Sequence, residues 1–286
     1  MYFTYTFNLF TILAISALII IILQNKDFLF YKTMILNDSV IPLRTAHSHN
    51  DYLRKVPVFN ALNNGFCSIE ADIYFINNEL YLGHESPTKH LLKDVYLDSL
   101  KNILSSNKNN VIYENSIKLQ VCKTIDLIID FKDDDSYPAW YLLETYLMEY
   151  DMFQCYNKDE LIKEGPIRII LSGNHPKVSD VVKGHHCSVV DIKYDELING
   201  NYTKKEKAII GQINTKWVRG WNVDEKYIKE VVKTSKTDGI NASVRFWGIK
   251  EFNTNILLKL WDFLLDHGVD RIGTDNIVLL KTYLLN

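Results

Sequence analysis

Short apolar runs alternate with amphipathic segments along residues 41–280 of this 286-residue chain. The runs have the length of buried strands, and the segments between them have the spacing of helices. Strands that alternate with helices predict a parallel α/β sheet, and eight of them predict a closed (β/α)8 TIM barrel, distorted where the connection after residue 192 is short. The predicted barrel strands are 42–47, 67–72, 125–130, 167–171, 188–192, 208–212, 239–245 and 270–274, with 79–83 as an extra hairpin strand.

Several of the intervening segments predict helices. In the first of them, Val58, Phe59, Ala61 and Leu62 have the spacing of one apolar helix face, and Gly65 supplies a C-terminal stop. The same kind of pattern predicts helices at 98–104, 139–150, 224–236 and 254–267.

The N-terminal segment has a different composition. The first 25 residues contain no charged side chain, and residues 1–23 together are long enough to cross ~30 Å of hydrocarbon. We predict a retained transmembrane anchor and stalk at 1–40, followed by a barrel domain at 41–286. A cleaved signal peptide is the alternative, although the basic start and small-residue cleavage site of such peptides are missing. The expected location is therefore a membrane of the secretory pathway or an organelle, crossed once.

The charge balance restricts the class of partner. The chain has 32 Lys and Arg against 35 Asp and Glu, so its formal net charge is −3. This balance gives no electrostatic basis for binding nucleic acid. An apolar content of 47% with 12% aromatic residues supplies a large core and argues against disorder.

The cysteines do not form a recognisable metal or redox motif. Cys67, Cys122, Cys155 and Cys187 lack C-x-x-C spacing, so neither a zinc knuckle nor a thioredoxin-like pair is indicated. Cys67 and Cys187 fall in predicted strands, where we expect them to be small buried apolar side chains.

Three N-glycosylation sequons begin at Asn37, Asn201 and Asn241. Such triplets also arise by chance in a chain rich in asparagine, and Asn241 falls in the predicted strand 239–245. The sequons therefore leave open which side of a membrane the domain occupies.

Two predicted strands end in carboxylates. Glu70 and Asp72 are two residues apart, so they project from the same face of their strand. Burial of two neighbouring carboxylates is costly unless a cation neutralises them, and Mg²⁺ or Ca²⁺ prefers oxygen ligands. Asp130 ends the third predicted strand and is expected to complete the site. The alternatives are an exposed strand face for the first pair and, for Asp130, the start of the acidic loop 133–135.

The histidines near these carboxylates are candidates for proton transfer. An imidazole, with an ordinary pKa near 6.5, can take and give a proton close to neutrality. A phosphodiester cleavage needs a base for the attacking hydroxyl and an acid for the leaving oxygen, and His49 and His84 match these roles. The remaining lone histidines are expected to be structural: His90, His175, His185, His186 and His267.

Several motifs carry a family resemblance. SHNDYL resembles the SHNTYL-type segment of phosphoinositide-specific phospholipase C, in which the His is catalytic and the Asn binds calcium; the resemblance implies that Asn50 is a metal ligand. SIEADIYF followed by LGHE is similar to the E-x-D and later His of that superfamily, which includes glycerophosphodiester phosphodiesterases and sphingomyelinase D. The D-x-K of sphingomyelinase D matches Asp130 and Lys132, and this likeness implies that Asp130 binds the metal and that Lys132 contacts the phosphate of the substrate. Over residues 41–280, the chain resembles the fungal altered-inheritance-of-mitochondria protein 6 family through HSHNDY, GFCSIEAD, LYLGHE, VYLDSL, RFWG and RIGTDN.

The resemblance implies a phosphoric diester hydrolase or lyase that acts on a glycerophosphodiester or a phospholipid-type substrate. It implies one divalent cation, Mg²⁺ or Ca²⁺, and attack by a hydroxyl of the substrate to give a cyclic phosphate. The H-R-G of glycerophosphodiester phosphodiesterases is absent, which leaves His47 and His49 open as the base. The likeness to SHNTYL favours His49, so His47 is assigned to substrate binding.

The sequence does not decide the roles of three residues at the ends of the last two predicted strands. Arg245, Trp247 and Asp275 could line a substrate pocket by position. Equally, Trp247 could be a core residue at the barrel rim and Arg245 the ion-pair partner of an acidic strand end.

Two further functions remain possible from the sequence. In a metal-dependent amidohydrolase or a related phosphatase, His47-x-His49 would bind zinc or manganese, because alternation along a strand places both rings on one face. That class would require more paired histidines at later strand ends. The other alternative is a membrane-tethered barrel without turnover.

Overall fold

The computed structural model describes residues 11, 14–15, 36–37, 39–107, 110–217, 224–251 and 253–286. The chain divides into two compact units, Met1–Ile35 and Leu36–Asn286. In the first unit only Thr11, Ala14 and Ile15 are described, and all three are helical. The predicted anchor at 1–23 lies almost wholly outside the described residues. Within the part of the chain that is described, no helix is long and apolar enough to cross a bilayer.

The second unit contains a closed barrel. Its strands, in chain order, are β1 (Leu43–Ser48), β2 (Phe66–Ile76), β3 (Glu79–Leu82), β4 (Ile125–Phe131), β5 (Cys155–Asn157), β6 (Glu160–Lys163), β7 (Ile167–Gly173), β8 (His185–His186), β9 (Ser188–Lys193), β10 (Ile210–Lys216), β11 (Ser243–Trp247) and β12 (Arg271–Thr274). Eight of these described strands run parallel in the order β1-β2-β4-β7-β9-β10-β11-β12, and β12 pairs with β1 to close the sheet. The predicted barrel is therefore confirmed.

Two strand features lie outside the barrel wall. β3 pairs antiparallel with the end of β2, which is the predicted hairpin. β5, β6 and β8 form a separate three-stranded sheet that the sequence did not reveal, because its strands are only two to four residues long. A strand this short leaves too few alternating positions for a pattern to be recognised.

The described helices fill the connections between strands. They are α1 (Phe59–Asn63), α2 (Asp98–Ser106), α3 (Glu114–Leu119), α4 (Tyr137–Met148), α5 (Val178–Val181), α6 (Tyr194–Asn199), α7 (Lys204–Ala208), α8 (Glu225–Thr234), α9 (Thr254–Asp266) and α10 (Ile277–Leu285), and a π-helical turn, Lys93–Leu97, leads into α2. The five predicted helices correspond to α1, α2, α4, α8 and α9. The connection after residue 192 contains two short helices that the sequence did not predict. The second of them begins with a capping box between Thr203 and Glu206.

The start of β11 differs from the prediction. The strand begins at Ser243, whereas the sequence pattern suggested residue 239. Asp238 and Gly239 both have positive φ, 57° and 85°, so the chain turns there and cannot be extended. Asn241 consequently precedes the strand and is exposed.

The cysteine prediction is wrong in one respect. Cys67 and Cys187 are buried, but both form disulfides, Cys67 with Cys122 and Cys187 with Cys155. The paired residues are 55 and 32 positions apart in the sequence, so no local spacing signalled them. The fold brings the loop before β4 to the start of β2, and β5 to the segment before β9.

An ionic cluster occupies the barrel interior at the N-terminal ends of the strands. Asp126 of β4 is paired in register with Arg168 of β7, whose Nε donates to its carboxylate over 2.9 Å. Arg271 of β12 donates to the other carboxylate oxygen over 2.5 Å. Because β12 is not adjacent to β4, the Arg271 side chain crosses the interior. Burial would raise the pKa of the Asp126 carboxyl, but the two guanidinium groups outweigh it and lower that pKa to about 2.

We expect this cluster to make unfolding sensitive to acid. The carboxyl of Asp126 has its ordinary pKa of 3.8 when unfolded and a pKa of about 2 when folded. Its contribution is therefore complete above pH 4 and is lost as the pH falls through 2, an effect of about 2 kcal/mol in the free energy of unfolding. Urea denaturation between pH 2 and pH 7 measures it.

The variant that isolates this effect is Asp126→Asn. It should lower the free energy of unfolding at pH 7 by about 3 kcal/mol, because Arg168 and Arg271 stay buried without a counter-charge, and it should remove part of the acid sensitivity. Asp151→Asn is the control, since the Asp151 side chain is fully exposed. The prediction would be contradicted if the free energy of unfolding changed with pH in the same way for Asp126→Asn and the unmodified protein.

Candidate active site

A cavity of about 490 Å³ opens at the C-terminal ends of the barrel strands. Barrel enzymes hold their catalytic groups at this end. Six of the eight predicted site residues line the cavity, and the other two, His47 and Asp72, are fully buried. The six lining residues are His49, Asn50, Glu70, His84, Asp130 and Lys132.

Three carboxylates converge at the ends of two neighbouring strands. Glu70 and Asp72 come from β2, and Asp130 of β4 is paired in register with Asp72. One oxygen from each lies within 4.8 Å of the others. In the described ranges this is the one group of three or more potential metal ligands, and it includes no histidine. The alternation of side chains along β2 explains why the first two share a face.

The acidic group fits a hard divalent cation. Asp72 is fully buried, and its Oδ1 has no hydrogen-bond partner. Burial raises the pKa of Asp130 to about 6, and the charges of Glu70 and Asp72 act in the same direction. An unsatisfied buried oxygen and carboxylates that repel one another are both stabilised by a cation with oxygen ligands. The donor set of oxygens alone favours Mg²⁺ or Ca²⁺ over zinc.

Lys132 partly compensates this negative charge. Its Nζ lies 2.8 Å from Asp72 Oδ2 and 3.0 Å from Asp130 Oδ1. Burial would lower the pKa of Lys132, but the two carboxylates outweigh it and raise that pKa, so the ammonium group stays charged. A positive charge that lines the cavity beside the carboxylates is in position to contact a phosphoryl oxygen.

Glu70 is fixed from the barrel interior. Its Oε2 lies 2.9 Å from His47 Nε2 and accepts from Arg245 Nη1 over 3.0 Å. The other end of the Arg245 guanidinium is 3.5 Å from Asp191 of β9. Burial alone would raise the pKa of Glu70, but Arg245 and His47 hold it well below its usual range. Glu70 is therefore ionised, and its orientation is set.

His47 lies in the interior of the barrel. Its side chain has no exposed surface, and Nδ1 is 2.8 Å from Ser68 Oγ while Nε2 faces Glu70. Burial lowers the pKa of His47 to about 4, so the ring is neutral. The described residues that line the cavity do not include it. Of the two histidines that the sequence left open as base, His49 is the one with access to the cavity.

His49 follows β1 and is oriented by a residue from the far end of the chain. Its Nδ1 lies 2.9 Å from Asp275 Oδ1, just after β12. Burial opposes protonation, but Asp275 and the charge of Glu70 outweigh it and raise the pKa of His49. When Nδ1 donates to Asp275, Nε2 carries the lone pair, as a general base requires.

His84 follows β3, and, like His49, it has a carboxylate beside its Nδ1. Its Nδ1 lies 2.8 Å from Asp72 Oδ2, and the side chain is 44% exposed. Asp72 thus belongs to the acidic group and also orients His84.

Asn50 lies beside the acidic group. Its backbone is left-handed, with φ of 49°, and its Oδ1 is 2.9 Å from the Tyr52 hydroxyl. The same hydroxyl lies 2.8 Å from Asp72 Oδ2. The assignment of Asn50 as a fourth metal ligand stays a prediction.

Arg54 joins the ends of the first and last barrel strands. Its Nε donates to Ser48 Oγ over 2.9 Å and its Nη1 to the Asp275 carbonyl over 2.8 Å. Its Nη2 reaches the carbonyls of His49 and Thr274 over 3.2 and 3.3 Å. One guanidinium therefore fixes the backbone that carries both His49 and Asp275.

The sequence left the roles of Arg245, Trp247 and Asp275 open, and all three line the cavity. Sequence reasoning missed Asp191 and Arg54. Asp191 was detectable, because it is a charged residue inside an otherwise apolar strand. Nothing local marked Arg54. Trp247 lines the cavity at 36% exposure, and its Nε1 donates to Asn214 over 3.1 Å.

Comparison with known proteins relates this chain to one family. Residues 34–195 match the family described as the AIM6-like phosphodiesterase domain. "Altered inheritance of mitochondria protein 6" of Eremothecium gossypii is 26% identical, in an alignment that covers 83% of this chain and 69% of that protein. The Arthroderma benhamiae homolog is also 26% identical, over 85% of this chain and 84% of its own length.

A Saccharomyces cerevisiae protein of the same name is 34% identical over 170 residues, which are 51% of this chain and 41% of that protein. The family match covers the cavity-lining segments of β1, β2 and β4 and more than half of the 286 residues. The expected resemblance is thereby confirmed. The chain belongs to the AIM6-like phosphodiesterase domain family.

Proposed function

We propose that this protein is a metal-dependent phosphoric diester hydrolase or lyase that acts on a glycerophosphodiester or a phospholipid-type substrate. One observation carries the proposal. Two histidines, His49 and His84, line one cavity, and the Nδ1 of each lies against a carboxylate, 2.9 Å from Asp275 and 2.8 Å from Asp72. The three-carboxylate group lies in the same site.

The carboxylates would hold the cation. Glu70, Asp72 and Asp130 supply three oxygens, and Asn50 is the predicted fourth ligand. When bound, Mg²⁺ or Ca²⁺ neutralises the charge that develops on the phosphoryl oxygens. The charged Lys132 ammonium supports the same phosphoryl group from the side of Asp72 and Asp130.

The histidines would transfer the protons. The Nε2 of His49 accepts the proton of the attacking hydroxyl, and Asp275 stabilises the imidazolium that results. His84, oriented by Asp72, gives a proton to the leaving oxygen. If the attacking hydroxyl belongs to the substrate, the product is a cyclic phosphate; if it belongs to water, the product is a monoester.

The amidohydrolase alternative has less support. It requires His47 and His49 to share a metal, but the two rings have separate partners, Glu70 and Asp275. His47 is also fully buried, and the acidic group found in the described residues contains no histidine. The other alternative is a barrel that catalyses no reaction. The activity assays described below distinguish it from the proposed enzyme.

A membrane location would suit a phospholipid substrate. The apolar N-terminal segment predicted as an anchor would hold the barrel domain close to a bilayer. The proposal therefore includes a single membrane-spanning anchor, with the membrane as a partner. If it is right, the full chain stays with the membrane fraction after carbonate washing.

The first experiment identifies the substrate. The full chain is incubated with glycerophosphodiesters, lysophospholipids and inositol phospholipids in the presence of Mg²⁺ or Ca²⁺, and ³¹P NMR follows the phosphorus resonances. A new cyclic-phosphate or monoester signal that disappears with EDTA supports the proposal. If a protein that binds the cation leaves the whole panel unchanged, the proposed substrate class is wrong.

The two histidines should be essential for turnover. His49→Ala and His84→Ala are each expected to lower kcat by at least ~10²-fold, because each removes a proton-transfer group. Both positions are partly exposed, at 37% and 44%, so the thermal midpoint should change little. His185→Ala is the control, since His185 is exposed on β8. A folded and fully active His84→Ala protein would eliminate the acid–base assignment.

Removal of one carboxylate should weaken cation binding. Asp72→Asn is expected to weaken the binding of Mg²⁺ or Ca²⁺ by at least ~10-fold in titration calorimetry, because it removes a ligand charge. Asp134→Asn, in the adjacent acidic loop, should bind like the unmodified protein. EDTA should abolish the enzyme activity, and added Mg²⁺ or Ca²⁺ should restore that activity. Selective rescue by zinc would favour the amidohydrolase instead.

A further inference from the structure

The three sequons take no part in the site described above. The side chains of Asn37, Asn201 and Asn241 are all exposed. At the first of them, the Ser39 amide and hydroxyl both donate to Asn37 Oδ1, over 2.9 and 2.7 Å. The contacts within this turn therefore use the carbonyl oxygen, whereas a glycan would be attached through Nδ2.

The sequons share one end of the barrel. Asn37 precedes β1, Asn241 precedes β11 by two residues, and Asn201 lies between α6 and α7, the helix that leads into β10. Lys207 of α7 forms an ion pair with Asp238, three residues before Asn241, so the helix that follows Asn201 contacts the turn that precedes Asn241. The cavity opens at the opposite ends of the strands. Glycans at these positions would leave the cavity accessible.

The cysteines provide an independent observation. The sequence contains four cysteines, and all four are paired, Cys67 with Cys122 and Cys155 with Cys187. Disulfides persist in the oxidising lumen of the secretory pathway and outside the cell, and they are rare in reducing compartments. N-glycans are added in the same lumen. Two kinds of covalent chemistry thus point to one compartment.

We propose that the barrel domain folds in the lumen of the secretory pathway and carries N-linked glycans on Asn37, Asn201 and Asn241. In the transfer, the amide Nδ2 forms a bond to the anomeric carbon of a lipid-linked oligosaccharide, the lipid diphosphate leaves, and the amide loses one proton. Each disulfide forms when two thiols give two protons and two electrons to the disulfide of a lumenal oxidoreductase. This assignment does not depend on the proposed hydrolase activity.

Mass spectrometry of the full chain from a eukaryotic host tests the glycans. Treatment with an amide-cleaving glycosidase should convert Asn37, Asn201 and Asn241 to Asp and increase electrophoretic mobility. Single Asn→Gln variants should each remove one increment of that shift. Asn157→Gln is the matched control, because Asn157 is exposed but does not begin a sequon. The glycosidase shift and the mass spectrum of the unmodified protein do not depend on whether any variant folds.

The same sample tests the cysteines. Alkylation under denaturing, non-reducing conditions should label none of the four, and linked peptides should report Cys67–Cys122 and Cys155–Cys187. Three unmodified asparagines would overturn the assignment of the glycans. Four alkylated cysteines would overturn the lumenal location. An active hydrolase with either result would leave the proposed function standing, so the two failures are distinguishable.

Discussion

Repulsion between buried carboxylates is the constraint on which the site depends. Glu70, Asp72 and Asp130 end two adjacent strands with little solvent around them. Water cannot screen their charges there, so the protein must supply positive groups and hydrogen-bond donors. Arg245 compensates Glu70 from the interior, and Lys132 compensates the other two from the cavity. Each compensating group also has a second contact or surface, since Arg245 lies beside Asp191 and Lys132 lines the cavity.

The barrel carries charged clusters at both ends of its interior. At the N-terminal end, the Asp126 carboxylate has two guanidinium partners, and positive charge is in excess. At the C-terminal end, carboxylates outnumber the cations that lie among them. The first arrangement is complete without a ligand and stabilises the fold. The second leaves Asp72 Oδ1 without a partner, and this shortfall is what a divalent cation would remove.

Local patterns in the sequence were enough to predict the barrel and to bring six of the predicted site residues to one cavity. The strand period placed Glu70 and Asp72 on one face, and the strand ends brought Asp130 to the same site. Contacts between distant segments were harder to predict. Asp275 is 226 residues from His49, and no local spacing relates them. Alternation along β1 did not distinguish His47 from His49, because it gives both the same face. The likeness to SHNTYL favoured His49, which lines the cavity, whereas His47 is fully buried.

Arg54 has a consequence for how the site forms during folding. Its guanidinium contacts the carbonyls at the ends of both β1 and β12, and His49 meets Asp275 at the same junction. The three carboxylates come from β2 and β4, which are closer in sequence, but Arg245 of β11 and His47 of β1 set the orientation of Glu70. In the proposed mechanism, neither the cation site nor the base is therefore complete until strands from both ends of the chain have come together. Catalytic competence would be the last property that the folding chain acquires.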